Sequence, residues 1–383
     1  MAKQNLNFVP DTCQPPPPTR STRPFLQPGR KRRLLLSLVV LGWFAFAFGN
    51  LQTAEAQQTA EAQQTAEAQS KRVFEFQYAA EIDLPEDGSR LHVWFPVATS
   101  SPHQNVQIVA VDLPARTTFH PDPDYGNRIG FFEIESAGEE DPPNQGADLE
   151  ADRDSLSFEI TYRVVRRQTS PGDWPVKLGA PQRQLHLREN RLVPVGGPSE
   201  SLVRNRDIPA PPMEAARALY GIVLDYLDYD KSKPGWGRGD VRWACNSRSG
   251  NCTDFHSVFM ALARSRNIPC QFEIGFPIPE DQTTGPIGGY HCWAWFHDAT
   301  QGWIPVDISE ADKHPELRDF YFGHLSSNRI AFSRGRDIEL VPASATGPQN
   351  YFINPHVEWG DQPAPANSVR TKYRFRDLRK KGS

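Results

Sequence analysis

Three side chains in the second half of the sequence could work together as a nucleophile, a base and a carboxylate: Cys252, His291 and Asp307. A cysteine attacks a carbonyl carbon as its thiolate, and a histidine can hold that thiolate as an ion pair. An acid can then fix the tautomer and tilt of the histidine. Because the residues supply these roles in chain order, we interpret them as a candidate triad for acyl transfer.

The segment after Cys252 has the pattern of an amphipathic helix. Its apolar stripe consists of Phe255, Val258, Phe259, Leu262 and Ala263. Asn267 and Pro269 would end this helix, and its start would fall near Asn251. Cys252 would then lie in the first turn, where free N–H groups and the helix dipole lower the pKa of a thiol.

Two neighbouring strands would carry the other members of the candidate triad. His291 begins an alternating apolar and aromatic stretch, and Asp307 ends the next such stretch. We expect the first strand to lie against the start of the helix. The two strands would then bring the imidazole and the carboxylate to Cys252.

The local signatures around these residues resemble those of the transglutaminase-like superfamily, a branch of the papain-like cysteine enzymes. The matching pieces are Arg248-x-Gly250-x-Cys252-x-Asp254-Phe255, Asn267-Ile268-Pro269, Tyr290-His291-Cys292-Trp293 and Gly302-Trp303-Ile304-Pro305-Val306-Asp307. The resemblance implies an α+β core with the nucleophile helix packed on an antiparallel sheet. It also implies acyl transfer through a thioester.

Other polar residues near the candidate triad have less specific interpretations. Many relatives have alanine where this chain has Cys292, and strand alternation predicts that Cys292 points away from His291 as a small packing residue. His256, one helical turn after Cys252, is expected to support or pack against the site. Papain-like relatives take an oxyanion donor from just before the nucleophile. Asn246 and the indole N–H of Trp243 are therefore candidate donors, although either could equally cap a helix or pack.

Metal binding and disulfide formation are the rival roles for these residues. Cys252, His256, His291 and Asp307 could surround zinc, but the sequence has no C-x-x-C or H-x-x-x-H spacing. We therefore predict no metal and no cofactor. Outside the cytoplasm, Cys245, Cys252, Cys270 and Cys292 could instead form two disulfides. A bridge between Cys270 and Cys292 is disfavoured because they would open two successive antiparallel strands.

The N-terminal region has the pattern of an export signal. A basic cluster, Arg30-Lys31-Arg32-Arg33, precedes the uncharged apolar run 34–48, and QTAEAQ then occurs three times. The run has the length of a signal-peptide core and is short for a membrane span. We predict a periplasmic or secreted protein with cleavage near 50–68. The alternative is an uncleaved anchor that tethers the protein to the membrane through 34–48.

The rest of the chain divides into segments of different pattern. The predicted organisation is 1–70 as the disordered N-terminus, signal or anchor segment and repeat; 71–170 as a β-sandwich; 171–212 as a linker; 213–360 as the catalytic domain; and 361–383 as a tail or edge strand. The expected fold class is α+β, a β-sandwich followed by the transglutaminase-like core. Runs of alternating strands and many Pro and Gly residues favour the sandwich.

The predicted activity is hydrolysis of peptide or amide bonds, with a protein or peptide as substrate. A net charge of -4 gives no reason to expect a nucleic-acid partner. Two alternatives stay open: a non-catalytic module that binds envelope proteins or glycans with a vestigial triad, and a protein-glutamine acyltransferase that crosslinks. The sequence shows no calcium loop for a calcium-gated crosslinker, and it leaves the oligomeric state open.

Overall fold

The computed structural model describes residues 71–135 and 155–378. The apolar run 34–48, the QTAEAQ repeat and residues 136–154 lie outside the described residues, as do the final residues 379–383. Across the ranges that the structure describes, no helix combines the length and apolar character that a membrane crossing requires.

The described ranges contain the following elements. The strands are β1 (Lys71–Asp83), β2 (Leu91–Val97), β3 (Gln104–Asp112), β4 (Thr118–Pro121), β5 (Arg128–Ile134), β6 (Ser155–Arg167), β7 (Asp228–Tyr229), β8 (Ser249–Gly250), β9 (Cys270–Pro277), β10 (Thr284–Pro286), β11 (His291–Asp298), β12 (Gly302–Val306), β13 (Arg329–Arg334), β14 (His356–Trp359), β15 (Gln362–Pro363) and β16 (Val369–Asp377). The helices are α1 (Ala180–Leu187), α2 (Pro212–Tyr226), α3 (Val241–Ser247), α4 (Cys252–Ser265) and α5 (Ile308–Lys313), with 3-10 turns at Gly197–Leu202 and Pro315–Leu317.

Two five-stranded antiparallel sheets form the sandwich, with strand orders β10-β16-β1-β6-β3 and β15-β14-β2-β5-β4. Strand β1 alternates buried and half-buried residues along its length because only one of its faces lies on the core. The sheets meet through aromatic side chains, such as Phe95 and Phe158, whose ring centroids are 4.7 Å apart. The alternating sequence pattern therefore predicted the nature of these strands correctly.

The predicted catalytic segment contains a four-stranded antiparallel sheet of order β12-β11-β9-β13, with helix α4 packed against β11 and β9. Together with the sandwich it gives the mixed, mostly antiparallel architecture that the sequence predicted. The two parts share one hydrophobic core: Phe276 of β9 lies 4.2 Å from Tyr373 of β16, centroid to centroid. The four-stranded sheet therefore packs directly against the sandwich.

Three details differ from the sequence-based organisation. Strand β14, inside the expected catalytic segment, pairs with β2 of the sandwich. Strand β16 is an inner strand between β10 and β1, not a tail or an edge, because its Tyr373 and Phe375 are buried in the shared core. The segment expected as a linker, 171–212, contains helix α1, and Pro181 lies in the first turn of this helix, where proline is favourable.

Candidate active site

Helix α4 begins with a capping box that fixes the position of Cys252. The Thr253 amide donates to Asn251 Oδ1 over 2.9 Å, and the Asn251 amide donates to Asp254 Oδ2 over 2.9 Å. This reciprocal arrangement satisfies N–H groups that the first helical turn leaves without partners. Cys252 is therefore the first residue of the helix, as the sequence predicted, and faces the positive end of its dipole.

Asp254 also ties the glycine-rich loop before helix α3 to the start of helix α4. Its carboxylate accepts hydrogen bonds from the amides of Gly237 and Gly239, over 2.8 and 2.9 Å. Burial raises the pKa of Asp254 to about 6, although these amides act in the opposite direction. The loop is consequently held beside the nucleophile by a buried carboxyl group.

His291 and Asp307 meet at one end of the sheet. His291 Nε2 lies 2.9 Å from Asp307 Oδ2, and both side chains are buried. Burial alone would raise the pKa of Asp307, but the charges of His291 and Arg329 lower it below its usual value. Because Nε2 is bonded to the carboxylate, Nδ1 is the ring nitrogen left to bond the sulfur.

Burial would raise the pKa of the Cys252 thiol, but its interactions with the side chains of Cys292 and His291 and the charge of His291 lower that pKa well below the ordinary value. Burial lowers the pKa of His291, but Asp307 and Cys252 more than offset this and raise it to about 10. The structure thus brings the three predicted residues together and favours a thiolate–imidazolium pair at neutral pH.

A glycine allows β9 and β13 to approach each other closely at this end of the sheet. Gly275 of β9 is paired with His291. A Cβ atom at Gly275 would lie 1.8 Å from the Ile330 carbonyl oxygen of β13, so a larger residue would push β13 away. The position of Arg329, at the start of β13, depends on that close approach.

Arg329 is a neighbour of the carboxylate that the sequence gave no reason to choose. Its Nη1 donates to Asp307 Oδ2 over 2.8 Å, and its guanidinium lies 4.8 Å from the centre of the Trp293 ring. The side chain is buried. The carboxylate therefore has a permanent cationic partner besides His291, which favours its ionised form.

His256 links helix α4 to the residue after Asp307, and neither of its ring nitrogens is free to act as a base. Its Nδ1 lies 2.7 Å from the Cys252 carbonyl oxygen, and its Nε2 accepts from the Ile308 amide over 3.0 Å. Burial lowers the pKa of His256 to about 4, so the ring is neutral and carries its proton on Nδ1. Asp307 itself caps helix α5 by accepting from the Glu310 amide. Asp307 therefore caps a helix and also bonds His291.

Neither predicted oxyanion donor is placed for that role. The Trp243 indole N–H donates to the Pro234 carbonyl over 3.0 Å. Asn246 is exposed on helix α3, whereas Cys252 is only 2% exposed. The spacing argument failed because helix α3 directs the Trp243 indole to Pro234 and leaves Asn246 exposed.

Tyr229 is a candidate donor near the start of helix α4 that the sequence did not single out. It lies on β7, which pairs with β8 so that Tyr229 is opposite Gly250. Burial raises the pKa of Tyr229 to about 12, and the charge of Cys252 acts in the same direction. Lys313 Nζ lies 4.1 Å from its ring centre. A protonated phenol here could donate to an oxygen of the reacting group.

Comparisons with known proteins identify the family that one part of the chain matches. Residues 201–308 match the core of the transglutaminase-like superfamily, so the chain contains a transglutaminase-like domain. This match confirms the resemblance seen in the sequence. The chain is 29% identical over 184 residues to an uncharacterized protein of Haemophilus influenzae; the match covers 40% of this chain and 50% of the relative. The chain thus matches about half the length of that curated relative.

Two solved structures are also similar to this chain. One is a candidate cysteine protease from Cytophaga hutchinsonii, with a TM-score of 0.49, 13% identity, and coverage of 82% of this chain and 94% of that one. The other is the periplasmic domain of TgpA from Pseudomonas aeruginosa bound to ethylmercury. Its TM-score is 0.32 at 15% identity, with coverage of 64% of this chain and 92% of that one.

Proposed function

We propose that this protein is a cysteine hydrolase that cleaves peptide or amide bonds through a thioester acyl-enzyme. One observation carries the proposal: Cys252 begins a helix, and its thiol interacts with a histidine whose Nε2 lies 2.9 Å from a buried carboxylate. This arrangement supports a thiol nucleophile, a base and an acid that act together.

The steps of the reaction follow from the protonation states. The Cys252 thiolate attacks the carbonyl carbon, and the imidazolium of His291 transfers its Nδ1 proton to the departing amine. The resulting thioester is attacked by water, whose proton returns to His291 Nδ1. Breakdown releases the acid and restores the ion pair. Asp307 keeps its bond to Nε2 throughout, which holds the ring in one orientation.

The oxyanion of each tetrahedral intermediate would be stabilised by two donors. The first is the backbone N–H of Cys252 at the start of helix α4, supported by the helix dipole. The second is the Tyr229 hydroxyl group, which burial keeps protonated. The buried setting strengthens both interactions because little water competes for the developing charge.

We infer further that the protein acts on a protein or peptide substrate outside the cytoplasm. The basic cluster before the apolar run 34–48 supports export. Fractionation of producing cells, with N-terminal sequencing of the folded product, would test this. Cleavage near 50–68 would support a released form, and an intact N-terminus in the membrane fraction would support tethering.

Activity can be tested with a mixture of unmodified and C-terminally amidated peptides in water enriched in oxygen-18. We expect products that carry one heavy oxygen in the new carboxyl group, and none with the Cys252→Ala variant. A second reaction includes a biotinylated primary amine. Amine adducts that replace hydrolysis would instead indicate an acyltransferase. Neither product, from protein whose Cys252 still reacts with iodoacetamide, would overturn the hydrolase proposal and favour a binding module.

A further inference from the structure

Cys292 lies much closer to the reaction centre than strand alternation suggested. It points from β11 toward helix α4, into the same buried cluster as Cys252, whereas Trp293 faces the other side of the sheet. Both cysteines are buried where helix α4 packs on β11, and each thiol shifts the pKa of the other. Cys292 does point away from His291, as strand alternation predicted. Helix α4, however, begins over the start of β11, so the side chain that faces the helix lies near the nucleophile Cys252.

The surroundings of Cys292 leave its sulfur free to react with one neighbour. Its Sγ lies 3.7 Å from His256 Nδ1, but that nitrogen is already committed to the Cys252 carbonyl oxygen, 2.7 Å away. Burial raises the pKa of Cys292 well above its ordinary value, and the charge of Cys252 raises it further. The two cysteines therefore meet at one histidine nitrogen, with a thiolate at Cys252 and a thiol at Cys292.

We propose that Cys292 is a resolving thiol, which forms a reversible disulfide with Cys252 after a hydroperoxide has oxidised the nucleophile. The inference rests on the proposed function only in that it needs Cys252 to be a reactive thiolate. No peptide substrate or acyl transfer is involved. The pair would give an exported enzyme a protected, inactive state that a thiol reductant can reverse.

The chemistry balances in two steps. The Cys252 thiolate attacks the terminal oxygen of the hydroperoxide, the O–O bond breaks, and the products are a sulfenic acid and an alcohol, or water from hydrogen peroxide. The Cys292 sulfur then attacks the Cys252 sulfur, the S–O bond breaks, and the departing hydroxide leaves as water with the proton from Cys292. Two electrons pass from the two thiols to the peroxide.

A second buried cysteine offers a matched control. Cys270 is also fully buried, but its Sγ contacts the Ile268 carbonyl oxygen. Burial raises its pKa to about 12. It opens β9 and faces the end of β11 at Phe296, away from His291. Cys270→Ala therefore removes a buried thiol of the same kind without touching the Cys252–Cys292 pair.

The test exposes the reduced full-length chain to a small excess of hydrogen peroxide, followed by unfolding, alkylation and peptide mapping. In the natural chain and in Cys270→Ala we expect a linked Cys252–Cys292 peptide pair that dithiothreitol separates. In Cys292→Ala we expect no linked pair and sulfinic acid at Cys252 that dithiothreitol does not reverse. The same irreversible product in all three proteins, or a bridge between other cysteines, would overturn the proposal.

A second measurement does not depend on the folding of any variant. A trivalent arsenical, phenylarsine oxide, binds tightly where two thiols lie together. We expect it to protect Cys252 of the natural chain from iodoacetamide until dimercaprol is added. Absence of protection would contradict the pairing. If Cys252 alkylates readily at neutral pH but forms neither the disulfide with Cys292 nor the arsenical complex, this inference fails and the hydrolase proposal stands. If Cys252 does not alkylate, both proposals fail.

Discussion

Asp307 and Glu273 are two buried carboxylates on the same four-stranded sheet, and they have different partners. Asp307 accepts from His291 and Arg329 at the end of β12. Glu273, in the middle of β9, accepts from the Trp293 and Trp295 indoles over 2.6 and 3.0 Å and from Arg334 Nε over 2.8 Å. In both cases burial would raise the pKa of the acid, and the partners lower it instead.

The difference lies in what the donors can do. Two indoles and a guanidinium keep their protons at any physiological pH, so the Glu273 cluster can only hold its strands together. An imidazole can gain and lose a proton, and the pKa of His291 is raised by Asp307 and also by Cys252. A buried carboxylate therefore becomes part of a reaction centre when its partner can titrate and also reaches a nucleophile. Burial of the carboxylate alone does not produce a reaction centre.

Asp307→Asn should break the reactive side of this comparison and have the largest effect. An amide cannot stabilise the imidazolium, so we expect kcat/KM to fall about 10³-fold, within the usual range for loss of acid–base function. The measurement is hydrolysis of a peptide substrate per correctly folded molecule. A change below about threefold would contradict the role of Asp307, because loss of a mere helix cap would leave the rate intact.

Glu273→Gln should disrupt the structural carboxylate cluster and lower the stability of the protein. It leaves the Arg334 charge without its carboxylate, and because that side chain is 24% exposed we take the lower end of the range for a broken buried pair, about 3 kcal/mol of unfolding free energy. Urea unfolding at pH 7 measures it. The rate per folded molecule should stay within about threefold of that of the natural protein, because Glu273 does not contact the reacting atoms and so does not stabilise the transition state. A large rate loss at unchanged stability would reverse the two roles.

Tyr229→Phe should lower kcat by about 10²-fold, the usual cost of one oxyanion donor, with little change in KM. The substitution removes only the hydroxyl group and leaves the ring against Lys313. Tyr290→Phe is the matched control. Its hydroxyl hydrogen-bonds to Tyr351 and to the Asn251 side chain at the rim of the site. Equal losses in the two variants would show that neither phenol has a specific role at the oxyanion.

Trp295→Phe should give the smallest effect. It removes one of the two indole donors to Glu273, and the net loss of one such hydrogen bond to a charged group is about 2 kcal/mol of unfolding free energy. The rate per folded molecule should not change. Urea unfolding and the peptide assay together check this. Loss of activity here would mean that the two carboxylate clusters are coupled across the sheet.

Much of the reactive cluster could be predicted because its determinants are local. A capping residue, a helical stripe and a proline stop place Cys252 at a helix start, and two alternating strands deliver His291 and Asp307. Tyr229 and Arg329 could not be predicted, since only the β7–β8 and β13–β9 pairings bring them to the site. The inner position of β16 was missed for the same reason, because strand pairing joins residues that are far apart in the chain.

The pH dependence of Cys252 alkylation tests the central claim most directly. Peptide mapping after short exposure to iodoacetamide gives a separate rate for each cysteine. Because the pKa of Cys252 is lowered, its rate should stay nearly constant from about pH 8.5, the ordinary thiol pKa, down to about pH 6.5. Cys270 should stay unreactive. A Cys252 rate that falls about tenfold per pH unit below pH 8.5, as for an ordinary thiol, would contradict the thiolate–imidazolium pair.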